Sequence, residues 1–559
     1  MKLIEYFSFL ENKDYKIKVT FILIILVSIL IVITDAISIF TLLPIISATA
    51  ETSNLESNFI YSNYLPSWFS DFIIKLSYQQ LLYSLLVIFI FRNFLHLFNN
   101  YIIYRFSKFL EVDTSKKLFF LLVKKKYINF FNQTSSEIIK DFRDSVGGYV
   151  YFIECVARTI SNFLILLIFS ILLFYLSFNE TLVIFIYFIC IFFIFKKIVS
   201  KLSIKYGRKA NLSSNNINLV ILNTYKNFSQ IILRKLKKNY LNYYLNFAIE
   251  YSYSRLIISF IKSNTKQVLE IAVLCFIIFI FYFFNLIYGK NDLLILIVIF
   301  MTAAYRMLPL VNNLVESLIN LKNLQFPYKI IEKRIKYFNK KYKIIKFLSD
   351  KKIKNNFSKN IRLRNISFKY KKENEFLFRK ANFEIKKNEI IGIIGGSGQG
   401  KTTFIKILLG LLEPNIGQIL VDNKKIIKNK INNYQNLFAY LPQENLFMSG
   451  SIKENIAFGD DKIDNLRVIN SLKDTNCLKF VNKLKKKIEH PILEDGKNFS
   501  IGQLQRFALA RAIYFNNEIL ILDEPTSALD SSSEKKFIEL IYKLKKKKTI
   551  IIISHKKST

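Results

Sequence analysis

Six long apolar runs crowd the first 320 residues of this chain, at 19–47, 79–104, 150–178, 180–200, 256–288 and 292–320. Each holds the roughly 20 apolar residues that a helix needs to cross a hydrocarbon core. Several are longer than that, which predicts helices projecting beyond the bilayer into the cytoplasm. The first run is too long for the apolar core of a cleavable signal, and no small-residue cleavage site follows a short core, so no signal peptide is expected.

The connecting segments differ in charge. Segment 105–149 carries Arg105, Lys108, Lys116, Lys117 and the run Lys124–Lys126, and segment 196–255 carries Lys196, Lys197, Lys201, Lys205, Arg208, Lys209, Arg234, Lys235, Lys237 and Lys238. The links at 48–78, 179–181 and 289–291 are short or poor in basic residues. The positive-inside rule puts the basic segments, the N-terminus and everything after residue 320 in the cytoplasm. Tyr61, Tyr64, Trp68 and Phe69 in the first outer loop suit either an interfacial helix or an aromatic loop packed on the helix tops.

The formal net charge is +40. Such a balance would suit a nucleic-acid binder. Here Lys, Ile, Asn, Phe and Tyr are abundant together, and many basic residues flank apolar runs, so topology accounts for them and no nucleic-acid partner is expected. Cys155, Cys190, Cys275 and Cys477 lack metal or disulfide spacing, and the first three lie in apolar stretches as small buried residues.

After residue 320 a charged helical stretch leads into shorter apolar runs. Ile361–Tyr370, Ile390–Ile394, Phe438–Leu441, Ile519–Leu522 and Thr549–Ile553 read as strands between helical stretches, which predicts an α/β domain. Gly395-Gly396-Ser397-Gly398-Gln399-Gly400-Lys401-Thr402 follows one such strand and opens a helix at Thr403. This is the strand–loop–helix setting of a phosphate-binding loop. Its glycines let backbone N–H groups wrap phosphates, and the helix N-terminus favours negative charge. Lys401 would reach the β- and γ-phosphates, and Thr402 would ligate Mg²⁺. Ile519–Leu522 ends in Asp523, which would hold Mg²⁺, and Glu524, which would orient and deprotonate an attacking water.

Between these lies Phe499-Ser500-Ile501-Gly502-Gln503-Leu504-Gln505-Arg506, and here the chain resembles the ATP-binding-cassette (ABC) transporter superfamily. The segment is similar to the family signature L-S-G-G-Q-x-Q-R, with Phe499 and Ile501 as departures. The resemblance implies further roles. Tyr370 would stack on adenine, Gln443 would be the Q-loop glutamine and a Mg²⁺ ligand, Ser527–Asp530 would be the D-loop, and His555 would contact the γ-phosphate. Thr403 joins the expected ATP-binding set. Ser500, Gly502 and Gln503 would face ATP held by another motor domain, which implies a second copy of the chain as partner.

The resemblance extends to the exporter branch. It implies a multidomain fold: a six-helix all-α transmembrane domain at 1–340, then an α/β P-loop ATP-binding-cassette domain at 341–559. Phe130–Lys140 and Asn223–Lys238 take the places of the two coupling regions. The chain stops at Thr559, four residues after His555, where family members continue with a strand and a helical region, so a short motor domain is expected.

Asp35, Arg92, Glu154, Arg158, Lys266, Glu270 and Arg306 interrupt the apolar runs. Arg158 has Glu154 one turn away, and Lys266 has Glu270. Intramembrane charge faces a cavity or a partner, so Arg92, Lys266 and Arg306 are expected to line one cavity for an anionic cargo. Asp35–Ile39 with Pro44, and Tyr305–Pro309, look similar to bacterial flippases of lipid-linked oligosaccharides. Two functional classes follow: an active exporter or flippase using ATP and Mg²⁺ in the bacterial inner membrane, or a non-transporting subunit of the same build.

Overall fold

Runs of apolar residues with few helix breakers give the first part of the chain its long helices. In the computed structural model these are α1 (Tyr15–Thr49), α2 (Tyr78–Val123), α3 (Ser135–Lys140), α4 (Val146–Leu176), α5 (Phe178–Lys226), α6 (Phe228–Leu233), α7 (Lys237–Ser263), α8 (Thr265–Phe284), α9 (Lys290–Asn323) and α10 (Gln325–Lys341). The structure describes residues 15–49, 77–125, 127, 135–176, 178–284, 290–342, 357–370, 375–396, 398–427, 431–526, 531–545 and 547–554. The chain divides into two units, 1–125 with 133–345 and 126–132 with 346–559.

In the first unit, α1, α2 and α4 share a core around Phe21, Ile31, Phe106, Leu110 and Phe152. Hydroxyls in α1 are satisfied within the helix: Thr20, Ser28, Thr34 and Ser38 each donate to a carbonyl three or four residues earlier. Ser28 also meets Ser161 across the helices at 2.6 Å, and Asn99 donates to the same serine at 3.1 Å. These contacts tie α1, α2 and α4 together, as interhelical polar contacts do in an apolar medium. Among the described residues three stretches combine the length and composition to cross a membrane: Tyr15–Ser38, Gln79–Val123 and Glu137–Ile171. The outer sides of α1 and α2 leave Leu26, Ile90 and Leu97 exposed, as a lipid-facing surface would.

The expected run 256–288 is broken. α7 ends at Ser263 and α8 starts at Thr265, because Ser263 and Asn264 turn their side chains onto the carbonyl of Phe260 and compete with the helix ladder. α5 is 49 residues long, about 73 Å at 1.5 Å per residue, so it far outruns a bilayer core. α10 is amphipathic and buries Tyr328, Ile331, Ile335 and Phe338. Tyr328 stacks between Tyr149 and Phe152, with ring centroids 5.6 and 4.1 Å away. Cys155 is buried as expected, but Cys275 is exposed, because an apolar segment in a membrane protein faces lipid as readily as protein. The aromatic loop at 48–78 lies almost wholly outside the described residues.

The second unit holds β1 (Asn360–Phe368), β2 (Phe378–Lys386), β3 (Ile390–Ile394), α11 (Lys401–Leu408), β4 (Ile416–Val421), β5 (Lys424–Lys425), α12 (Ile431–Gln435), β6 (Phe438–Leu441), β7 (Gly450–Ser451), α13 (Ile452–Ile456), α14 (Asn465–Asp474), α15 (Leu478–Asn482), β8 (Pro491–Ile492), α16 (Ile501–Tyr514), β9 (Ile519–Asp523), α17 (Ser531–Lys545) and β10 (Thr549–Ser554). One sheet is antiparallel, ordered β2-β1-β4-β5, and another is parallel, ordered β3-β10-β9-β6. Ile405, Ile407 and Leu408 of α11 are fully buried in the core that includes strands of both sheets. β2 and β4 were not legible as apolar runs: Phe-Arg-Lys-Ala-Asn-Phe-Glu-Ile-Lys alternates, as an exposed-edge strand does.

Candidate functional site

The parallel sheet sets the geometry of the second unit. β10 lies between β3 and β9, with Ile553 opposite both Ile393 and Asp523. The end of β9 and the start of the glycine loop therefore stand level, two strand spacings or about 10 Å apart. Ligands of open α/β sheets bind at this carboxyl edge.

The loop is held in a shape only glycine allows. Gly398 and Gly400 have φ of +80° and +86°. A Cβ on Gly400 would also lie 2.9 Å from the ring of Phe378. Gly396 donates its N–H to Gln399 Oε1 at 2.8 Å. Lys401 Nζ donates to the carbonyls of Gly395 and Gly396 at 2.7 and 2.8 Å, which stations the ammonium over the loop. Thr402 is exposed at the helix start, while Thr403 is buried and shares a 2.9 Å hydroxyl contact with Tyr370. Tyr370 thus sits beside the phosphate loop, edge-on to Phe368 at 5.1 Å.

At the end of β9, Asp523 is buried and Glu524 takes a left-handed backbone, φ +49°. Non-glycine residues held in that region cluster at functional sites. Gln443 Nε2 donates to Glu524 Oε2 at 2.9 Å, so two residues 81 apart in sequence meet at the sheet edge. Burial pushes the Asp523 carboxyl above the usual range, and Glu524 beside it adds to the rise. A hydrogen bond from Tyr440 OH, at 3.3 Å, and the charges of Lys401 and Lys406 oppose it. Tyr440 is a residue that motif reading missed; its only sequence signal is its place in the strand that runs into Gln443.

Ser500 and Gln503 form a reciprocal capping box at the start of α16, with Gly502 in the first turn. Ile501, beside them, is 71% exposed. Gln505 reaches from α16 to the carbonyl of Pro525, just after Glu524, a second link that motif reading left unused. Ser397, Ser527–Asp530 and His555 lie outside the described residues.

In the first unit, α2, α4 and α9 line a cavity of about 960 Å³. Arg92 lines it as expected, but its charge is taken up by an ion pair with the buried Asp35. The pairing was invisible in sequence because 57 residues separate the two. Lys266 pairs with Glu270 at 3.4 Å, is 61% exposed, and is not among the lining residues. The side chain of Arg306 lies outside the described residues. Arg158 and Glu154 pair at 2.9 Å as expected.

Residues 378–527 match the family model described as ABC transporter. Over 199 residues, 36% of this chain, the sequence is 37% identical to a leukotoxin translocation ATP-binding protein of Mannheimia glucosida, covering 28% of that protein. It is 35% identical to a putative export ATP-binding/permease protein of Rickettsia bellii over 43% of this chain and 41% of that one. It is 35% identical to an ATP-dependent lipid A-core flippase of Saccharophagus degradans over 36% of this chain and 34% of that one. The matched stretch is thus less than half the length of each relative. A solved bacterial Atm1-family ABC exporter with ATP bound is similar with a TM-score of 0.73 at 16% identity, over 97% of this chain and 91% of that one, which shows the fold.

Proposed function

We propose that this chain, which carries an ABC transporter ATP-binding domain and has the fold of an ABC exporter, hydrolyses ATP to move an amphipathic cargo out of the cytoplasmic leaflet. The observation that carries the reading is the convergence of the glycine loop, Asp523, Glu524 and Gln443 at one sheet edge. In this reading, Gly395, Gly396, Gly398, Gln399, Gly400, Lys401 and Thr402 cradle the phosphates, with Tyr370 and Thr403 beside the base. Thr402, Gln443 and Asp523 hold Mg²⁺. Mg²⁺ neutralises charge that develops on the phosphates. Glu524 accepts the proton of the attacking water, and Gln443 fixes its carboxylate. His555 completes the γ-phosphate contacts.

A complete site needs Ser500, Gly502 and Gln503 from a second motor domain, so the working unit is a pair, most simply two copies. The exposed Ile501 beside the cap suits such a face. The basic segments support cytoplasmic motors on a bacterial inner membrane.

For cargo we propose a lipid-linked molecule, with a lipid-linked oligosaccharide or related glycolipid as the class. Apolar outer helix faces and a polar interior cavity suit a molecule whose tail stays in lipid while its head crosses. The relatives include a lipid A-core flippase and a leukotoxin translocator, which keeps another lipid or a peptide as the second reading. Reconstitution in vesicles with a fluorescent lipid-linked oligosaccharide tests the choice. ATP-dependent loss of the probe from the accessible leaflet is expected. Transport of peptide but not of that lipid would overturn the cargo assignment while leaving the motor assignment intact.

A further inference from the structure

Among the described residues, the charges around the α2–α4–α9 cavity do not add up to an anion site. Its two lining arginines are already neutralised: Arg92 by Asp35, and Arg158 by Glu154 at 2.9 Å. Arg158 is further committed, donating to Asn100 Oδ1 at 3.2 Å and lying over the ring of Tyr104 at 5.1 Å. Among the described lining residues, the charge left over is a carboxylate. Glu316 of α9 lines the cavity, and among the described residues no cation pairs with it. Glu316 is partly buried, and a carboxylate partly withdrawn from water gains from a cation beside it.

We infer that this cavity holds a subsite for a protonated primary amine, centred on Glu316. The inference rests on the transport reading only for its physiological meaning: the cargo head carries an amine beside whatever anionic group it has. Binding itself does not depend on turnover.

The test uses the full-length protein in lipid nanodiscs and no ATP. Dicyclohexylcarbodiimide, an apolar carboxyl reagent, is expected to modify Glu316, read by peptide mass spectrometry. Dodecylamine should protect Glu316 at about tenfold lower concentration than dodecanol or dodecyl phosphate, the ratio a charge-assisted pair gives. Glu316→Asp should keep that order of protection at residue 316. Glu316→Gln, checked for monodispersity, should bind a spin-labelled long-chain amine about tenfold more weakly than wild type while binding the matching alcohol equally. Equal protection by the alcohol, or no labelling of Glu316 in the unliganded protein because the carboxylate is already held within the assembly, overturns the subsite. Absence of flipping of the lipid-linked oligosaccharide in the vesicle assay, with protection by the amine intact in nanodiscs, instead counts against the cargo reading of the previous section.

Discussion

The two polar regions of this protein solve opposite problems. At the sheet edge of the second unit, charged groups lie near one another around the glycine loop: Lys401 rests on backbone carbonyls and Glu524 meets the neutral amide of Gln443. In the first unit, the arginines of the cavity are spent on carboxylates within the fold. A site open to water can keep ions ready for a ligand, whereas a site among apolar helices must neutralise them in place. A motif residue at the sheet edge is therefore expected to act on ligand when removed, and an arginine in the helical unit to act on the fold.

Four substitutions test that contrast, from the largest effect to the smallest. Glu524→Gln removes the acceptor for the water's proton and keeps the hydrogen-bonding shape. Steady-state phosphate release should fall by about 10²–10⁴-fold, with nucleotide binding retained in a filter or fluorescence assay. Turnover at the wild-type rate would end the assignment of Glu524 as base.

Arg92→Ala comes next and should act on stability. It takes the guanidinium away from Asp35, which is 1% exposed, at a cost of about 3–5 kcal/mol. Thermal unfolding in detergent should show the loss, and Asp35→Asn combined with Arg92→Gln should recover most of it. A stable Arg92→Ala protein that fails only in transport would instead return Arg92 to the cargo.

Lys401→Ala should weaken nucleotide binding by about 10–100-fold, the worth of one charge-assisted contact of about 1.5–3 kcal/mol, with little change in unfolding temperature. An equal loss of stability and binding would mean that the loop, like the cavity, depends on its ion for structure.

The smallest effect is expected from Tyr440→Phe. Burial raises the folded-state affinity of Asp523 for a proton, and the Tyr440 hydrogen bond lowers it. The raised carboxyl contributes stability at acid pH that is lost as pH rises through its folded value. Mg²⁺ needs the ionised form, so Tyr440→Phe should weaken Mg²⁺ binding to the nucleotide-free protein by up to about tenfold, read by titration at fixed pH, in line with a hydrogen bond worth under about 1.5 kcal/mol. Tighter Mg²⁺ binding by the variant would show that Tyr440 holds the protonated form.

The site of the second unit was largely legible because its parts are contiguous. The loop Gly395–Thr402, the strand running to Asp523 and Glu524, and Ser500–Gln503 are each a single stretch whose residue types fix a local shape. What was not legible there is long-range contact, such as Tyr440 on Asp523 and Gln505 on Pro525. The cavity fared otherwise. Arg92, Lys266 and Arg306 were grouped because each interrupts an apolar run, yet Lys266 is turned outward onto Glu270, and Arg92 is held by Asp35 from another helix. Glu316 attracted no notice, although it stands four residues before the end of the run 292–320.

By itself, the sequence determined the long helices, the α/β second unit and the phosphate loop, because apolar run length, strand patterning and glycine φ angles are properties of neighbours along the chain. The tertiary structure alone decided which charges are spent and which remain, because ion pairing across helices depends on rotation about each helix axis. Residues 35 and 92 meet, and 316 is left facing a cavity, only when three helices pack in one particular register.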